Sequence, residues 1–418
     1  MAVRVRQRSV VLAALAIVAC AAAALVLILA TSPGPSRVGG GSFPAPGSLP
    51  APVLYLSPTG DDGGRCTRSQ PCRSFDRAYH EARPGTVVQI AGGSYGDQVV
   101  TPDPDKDGRG CESRLRLGAC VVFRPAAGAR VVLGGLTLGA DYRSVGPAGI
   151  AIVAGPGRRL QTGSTNFGQA REIAMWGVSQ RNFYIAGGQD IAIRGGSVGG
   201  WTSADGTHPE VQRVYGSDPL IVPRRLTIEG VRFHDVNTTS STAHVDCLQV
   251  ENGVDVVIRA NRFERCGAVG LRLSYGTDAP VGPPTRVLIE NNVFGACAHT
   301  PVSECYFAAQ LGVGHDVLVR NNTFAQELQP TGDAGLARDV RYVGNLGPGI
   351  VCEPFIGYAH NVWSAGRCGA TDRVAAASAL ASAARGAGDP ADHPAQDING
   401  RRRPKGRAPS AGAREVGR

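Results

Sequence analysis

Lysine is almost missing from this chain of 418 residues: Lys106 and Lys405 are its only two, although Lys and Arg together number 43. A lyase that works through a lysine base therefore has almost nothing to draw on unless Lys106 is recruited. Charged residues make up only 18% of the chain, aromatics 6%, and methionine occurs twice. No Cys-x-x-Cys pair occurs, which excludes a zinc site of the usual clustered spacing. A Gly-rich phosphate loop ending in Lys and a His-Glu-x-x-His string are also absent, so nucleotide hydrolysis and zinc proteolysis have no motif here. The net charge of +9 is concentrated near the ends, in Arg4, Arg6 and Arg8 and in Arg401, Arg402, Arg403, Lys405 and Arg407. With no alternation of basic and aromatic residues, this charge does not point to a nucleic-acid partner, and an acidic polysaccharide suits it equally well.

What the chain does contain is turn formers, with Gly 57 and Pro 28, and a hydrophobic fraction of 43%, enough for an ordered core. It also contains a repeat. Leu226-Thr-Ile-Glu-Gly-Val-Arg-Phe233 returns as Val256-Val-Ile-Arg-Ala-Asn-Arg-Phe263, Leu288-Ile-Glu-Asn-Asn-Val-Phe294 and Leu318-Val-Arg-Asn-Asn-Thr-Phe324. The phenylalanines lie 30, 31 and 30 residues apart, and Asn261, Asn292 and Asn322 keep step with them. A period of this size marks stacked units that each need a neighbour to bury their apolar face. Within a unit the apolar residues alternate, which is the period of a strand. The expectation is an all-β solenoid with Phe263, Phe294 and Phe324 in one interior pile. The three asparagines are expected in one ladder at a bend, where Asn tolerates a left-handed backbone.

The N-terminus reads as a separate element. After Arg4, Arg6 and Arg8, an uncharged apolar run from Val10 to Ala30 is long enough to span a bilayer. It reads as an uncleaved membrane anchor rather than a cleaved signal peptide, with the basic residues inside and the body outside. A Pro/Gly/Ser-rich linker over 31–53 follows, then the solenoid over 54–370 and a closing segment with a basic tail over 371–418. Beyond the apolar run are ten cysteines, Cys66, Cys72, Cys111, Cys120, Cys247, Cys266, Cys297, Cys305, Cys352 and Cys368. An even number in an exported chain reads as disulfides, and the short separations favour neighbours in order.

Both ends of the solenoid carry further strings. Tyr55-Leu-Ser-Pro-Thr-Gly-Asp-Asp62 precedes a short amphipathic helix (Phe75, Ala78, Tyr79, Ala82) and Pro84-Gly-Thr-Val-Val-Gln-Ile-Ala-Gly-Gly-Ser-Tyr95. Near the other end, a helix predicted over Arg373 to Ala384 leads to Asp397-Ile-Asn-Gly400, Arg403-Pro404 and Gly412-Ala-Arg-Glu415. These strings resemble the opening and closing segments of right-handed parallel β-helix proteins of the pectate lyase-like superfamily. The usual acidic residue before the final Gly-Ala is replaced by Ser410-Ala411. The resemblance implies a right-handed parallel β-helix with an N-terminal capping helix, here preceded by the transmembrane or signal helix. It covers Val53 to Glu415. Only the stretch from Arg158 to Asn182 matches nothing in it and reads as a loop excursion.

Candidate site residues follow from the same alignment. His244-Val-Asp-Cys-Leu-Gln-Val250 resembles a His-x-Asp-x-x-Gln string that enters a strand in the superfamily. Gln249, Gln310 and Tyr184 each stand nine residues before an apolar strand residue, Ile258, Val319 and Ile193. With Leu248, Val250, Leu271, Leu273 and Leu311 pointing inward, Tyr184, Gln249, Arg272 and Gln310 are expected to form an external column for an extended polymer. Tyr275 joins them as a substrate-binding candidate. Lyases of this fold remove a proton α to a uronate carboxylate, so the resemblance implies a base and a cation, often calcium. His244, Asp246 and Arg272 are the catalytic candidates; the structural alternative is a turn pair at the strand entrance and a solvated arginine. A glycoside hydrolase is less favoured, since the only Asp-Asp is Asp61-Asp62 in the cap. Asp103-Pro-Asp-Lys-Asp-Gly108 has a spacing that suits calcium, through Asp103, Asp105 and Asp107, or else a plain acidic loop. The expected function is an extracellular β-helix protein acting on a uronate polysaccharide, or a surface protein that only binds one.

Overall fold

The computed structural model describes residues 49–111, 117–139, 144–203, 213–215, 221–239, 245–275, 282–298, 305, 307–330 and 335–416. The apolar run over 10–30 and His244 lie outside the described residues. No helix among the described residues is long and apolar enough to cross a membrane.

All strand pairings in the ladders are parallel, and successive coils supply successive rungs. One sheet has twelve strands, starting with Leu54–Leu56 and Val87–Ile90 and ending with Ala337–Val343 and Ile356–Ala359. Its register sets Leu226, Val256, Val287, Val317, Val340 and Ile356 in one buried row, and Ile228, Ile258, Ile289, Val319 and Tyr342 in the next. After each of these strands the chain turns a corner and enters a second ladder, where Phe233, Phe263, Phe294 and Phe324 are Cα partners. A third, shorter ladder closes the coil, with strands such as Leu248–Val250 and Leu271–Leu273. This is a parallel β-helix. Branched aliphatic residues and aromatics repeated at one register position favour it, because each then buries its side chain against its own kind one coil away.

The phenylalanine pile is the tightest part of the core. Ring centroids are 4.8, 4.7 and 4.9 Å apart along Phe233, Phe263, Phe294 and Phe324, with planes within 10°. Beside it runs the asparagine ladder. Each side-chain oxygen accepts both the backbone N–H and the side-chain amide of the preceding rung, from Asn261 through Asn292, Asn322, Asn345 and Asn361, and Asp372 ends the series. The left-handed residue at this corner is not the ladder asparagine but the one before it. Gly230, Ala260, Asn291, Asn321, Gly344 and His360 have φ between 51° and 66°. The ladder asparagine must aim its amide along the stack, so the reversal of the chain falls on its predecessor.

The start is capped as expected by a helix over Phe75–Glu81, with Ser74 accepting the N–H of Arg77. Phe75 stacks on Phe123 at 4.7 Å, and the Tyr79 hydroxyl donates to the Ala148 carbonyl. Burial raises the pKa of that hydroxyl to about 12. Two expectations need correction. The stretch 158–182 is no excursion: Arg159–Asn166, Gln169–Trp176 and Ser179–Ala186 are regular strands. Its inward positions carry polar side chains, Thr162, Thr165, Gln180 and Asn182, which hid the alternation. The helix expected over Arg373 to Ala384 is reduced to Leu380–Ala384 after a single 3-10 turn, because the Asn361 carbonyl draws the Arg373 N–H into a last strand.

The ten cysteines pair with their neighbours in order: Cys66–Cys72, Cys111–Cys120, Cys247–Cys266, Cys297–Cys305 and Cys352–Cys368. Such pairing belongs to an oxidising compartment and suits an extracellular protein. The closing segment folds back along the flank of the helix. Arg403 is no part of a basic tail: it is buried, and its guanidinium donates to the Asn291 side chain, to the carbonyls of Ser410 and Gly412, and to Glu415.

Candidate functional site

The third ladder carries an outward row. Cα partners run from Asn166 to Tyr184, Arg213, Gln249, Arg272, Gln310 and Gln329 without a break. The flanking positions face inward, with Leu248, Leu271, Ala309 and Leu328 on one side and Val214, Val250 and Leu273 on the other, all buried. Alternation along a strand therefore turns Tyr184, Gln249, Arg272 and Gln329 outward between them. Tyr184, Gln249 and Arg272 are half-buried. Neighbouring rungs of a parallel sheet are about 4.8 Å apart, so the row offers polar groups at a fixed, short interval.

Hydrogen bonds tie the row to its surroundings. The Gln249 amide donates to Ser274 Oγ at 3.0 Å, and the Gln310 amide donates to Gln329 Oε1 at 3.1 Å. Gln310 is more enclosed than an external column requires, at 6% exposure, and its own Oε1 is buried with no partner among the described residues. Arg272 is the Cα partner of both glutamines, Gln249 on one side and Gln310 on the other.

Of the other residues singled out in the sequence, three can be placed. Asp246 is fully buried, and its carboxylate accepts the Val269 N–H at 3.3 Å from the next coil. It faces inward and ties the strand entrance to its neighbour, beside the Cys247–Cys266 disulfide. Tyr275 packs its ring against the main core rather than joining the row. Lys106 is buried in the cap, held by Asp103 and lying 4.8 Å from the centroid of the Tyr79 ring, so it is not placed as a base for the row. His244 lies outside the described residues.

In the acidic loop, Asp103 and Asp107 face cations of the chain itself. Burial alone would raise the Asp103 carboxyl, but the Lys106 ammonium and the Asp105 N–H hold it below its ordinary value. Asp107 faces Arg109 instead. Among the described residues no group of three His, Cys, Asp or Glu side chains converges as a metal cluster.

Sequence reasoning missed Arg213 and Gln329 as members of the row, and Ser274 beside it. It also missed a His–Asp pair on the second ladder, where His234 Nδ1 lies 2.9 Å from Asp235 Oδ2. Arg265 closes a fork onto the same carboxylate at 2.5 and 2.6 Å, and this pulls the Asp235 pKa down to about 2. The signal for the extra row members was only the alternation around Val214 and Leu328.

No family model matches the chain, and no curated protein matches it. Solved structures that it resembles include pectate lyase Pel9A, at 13% identity and a TM-score of 0.41, over 88% of this chain and 98% of that one. The Streptococcus pneumoniae surface protein and adhesin PfbA is similar at 13% identity and a TM-score of 0.37, over 69% and 86%. A rhamnogalacturonan lyase is similar at 13% identity and 0.35, over 74% and 87%. The fold assignment rests on the strand register described above.

Proposed function

We propose that this is an extracellular carbohydrate-active protein that lays an extended uronate polysaccharide along the row from Tyr184 to Gln329 and cleaves it by β-elimination. The observation that carries the reading is the unbroken register of Tyr184, Arg213, Gln249, Arg272, Gln310 and Gln329. A repeating polymer is matched by a repeating wall, and amides and guanidinium groups are the donors that sugar hydroxyls and carboxylates accept. In this reading Arg272 meets the uronate carboxylate and neutralises the charge that builds up when the adjacent C–H loses its proton. His244 or Arg272 takes that proton, and calcium supplies further neutralisation if the polymer brings it in. The apolar run over 10–30 holds the protein at the outer face of the membrane.

A second reading is favoured by one observation. Asp246 is fully buried on a backbone N–H, as a structural residue would be, which leaves one fewer acid for catalysis. The protein would then bind the same glycan without turning it over. One experiment separates the two. The full chain is incubated with a panel of uronate polymers, with and without calcium, while the ultraviolet absorbance of unsaturated uronate products is followed and retention on the immobilised polymers is measured. A rise that Arg272→Ala abolishes supports the lyase. Retention with a flat trace and no new reducing ends supports the binding protein. Neither rise nor retention on any polymer would sink both.

A further inference from the structure

Several arginines placed on strands or at their bends face a carboxylate. Arg225 forks onto Asp190, Arg265 onto Asp235 and Arg286 onto Asp255. Arg232 pairs with Glu264 and Arg320 with Glu290. A cavity of about 660 Å³ under the closing segment follows the same rule, with Arg259 and Arg403 set against Glu229, Glu290 and Asp397. A second cavity differs. At the corner near the start of the helix, a cavity of about 360 Å³ is bounded by Arg130, Arg158, Arg159, Gln161 and Ser179, with Gly155 and Gly177 beside them. No acidic side chain lines it among the described residues.

The winding brings the three arginines to one cavity. Arg130 and Arg159 are Cα partners on neighbouring coils, and Arg158 is held one residue earlier by a backbone pair with Gly155 at 2.8 and 3.0 Å. None of the three makes an ion pair with a described carboxylate. The Nε of Arg158 is buried and has no hydrogen-bond partner among the described residues. A further arginine, Arg124, is buried nearby, and its pKa is lowered by desolvation and by the charge of Arg158. Like charges gathered in one place repel, and a buried donor left unpaired costs free energy. Both costs are removed by the same ligand, an anion with several oxygen acceptors, and guanidinium is the cation whose planar fork matches such a group.

We propose that this cavity is an oxyanion site, in which Arg130, Arg158 and Arg159 hold a sulfate, phosphate or carboxylate group. Its volume lies at the small end of the range for ligand pockets, which fits one anionic group with at most a sugar ring attached. Ser179 and Gln161 at the rim offer polar contacts for such a ring. The site lies at the entrance of the two strands whose far ends carry Asn166 and Tyr184, and it does not depend on what the row binds.

The test is calorimetric titration of the full chain at constant ionic strength, with chloride as the balancing ion. The probes are inorganic sulfate, inorganic phosphate, galacturonate and N-acetylglucosamine 6-sulfate. Saturable binding of at least one probe is expected, weakened about tenfold or more by Arg158→Gln. The double change Arg130→Gln with Arg159→Gln, at two exposed positions where folding is not at stake, is expected to weaken it as strongly. Preference for the two sugars identifies a sugar-borne anion, and equal or better binding of the inorganic ions identifies a free one. Absence of saturable binding by all four probes overturns the proposal, as does binding that survives both sets of substitutions.

Discussion

The side-chain oxygen of Asn322 accepts two hydrogen bonds from Asn292, one from its backbone N–H at 2.9 Å and one from its side-chain amide at 3.0 Å. Asn292 does the same for Asn261, so one residue type satisfies the backbone at the corner of each coil and hands on the pattern. Replacing Asn292 with Ala removes this acceptor and leaves the buried Asn261 N–H without its partner. A loss of about 2–4 kcal/mol is expected, read as a lower urea midpoint at unchanged slope.

Phe263 lies between Phe233 and Phe294, stacked on both. Phe263→Ala opens a cavity in the middle of the pile and is expected to cost about 3–5 kcal/mol. Phe263→Leu keeps more of the volume and should cost less than half as much. Equal losses for the two, measured by thermal unfolding, would show that stacking rather than filled volume is the main contribution.

The Asp235 carboxyl has a pKa of about 2, set first by the Arg265 fork. A depressed carboxyl contributes stability above its unfolded value, near 4, and loses it as pH falls through the folded value. Acid unfolding should therefore steepen between about pH 4 and pH 2. Arg265→Ala is expected to flatten that part of the profile while leaving its neutral region within about 1 kcal/mol, since the pair is partly exposed and screened by water.

The Cys247–Cys266 disulfide spans 19 residues and fixes the strand that enters the polar row to the coil beside it. Changing both cysteines to Ser should lower stability by about 3 kcal/mol. Because the disulfide adjoins Leu248–Val250, glycan retention is expected to fall as well, even at temperatures where the variant is folded.

Arg272→Lys keeps a charge but loses the planar fork, and Arg272→Ala loses both. If the row carries the polymer, retention on uronate columns should weaken by about tenfold or more for Ala and by less for Lys, with Gln329→Ala the mildest. The order Ala, Lys, Gln329→Ala is the readout; identical elution of all three would remove the row as the binding surface.

The coils from 226 to 324 were legible because Phe and Asn recur at matching intervals, and each has a single job repeated in every turn. The column of Tyr184, Gln249, Arg272 and Gln310 was legible for a related reason, since its flanking Leu and Val residues betray which face is inward. Arg213 was not, because the segment from the third ladder to the next strand of the twelve-stranded sheet differs in length from coil to coil: Arg213 stands 15 residues before Ile228 and Gln329 stands 13 before Tyr342, so the interval of nine fails there. The coils at 158–182 were hidden by polar side chains inside the helix, where the apolar alternation fails as a guide. Asp246 misled because a His-x-Asp string is the same whether its carboxylate faces solvent or the next coil. The arginine cavity was beyond reach for another reason: Arg130 and Arg159 are 29 residues apart and become neighbours only when the helix winds.

The closing segment reaches far back along the chain. Arg403 bonds Asn291, the Ala413 N–H donates to the Thr323 hydroxyl, and the Gly412 N–H donates to the Gly344 carbonyl. It also covers Val293, Ala325 and Leu346 with Ile398, Ala413 and Ala411. A solenoid can assemble in the order in which a ribosome delivers it, each coil settling on the last as it emerges. Here the flank over 291–346 stays bare until the residues around 400–413 are made. Delivery of the residues around 400–413 thus decides when this flank becomes safe from self-association, and a nascent chain stalled before Arg403 should be a sticky, protease-sensitive product.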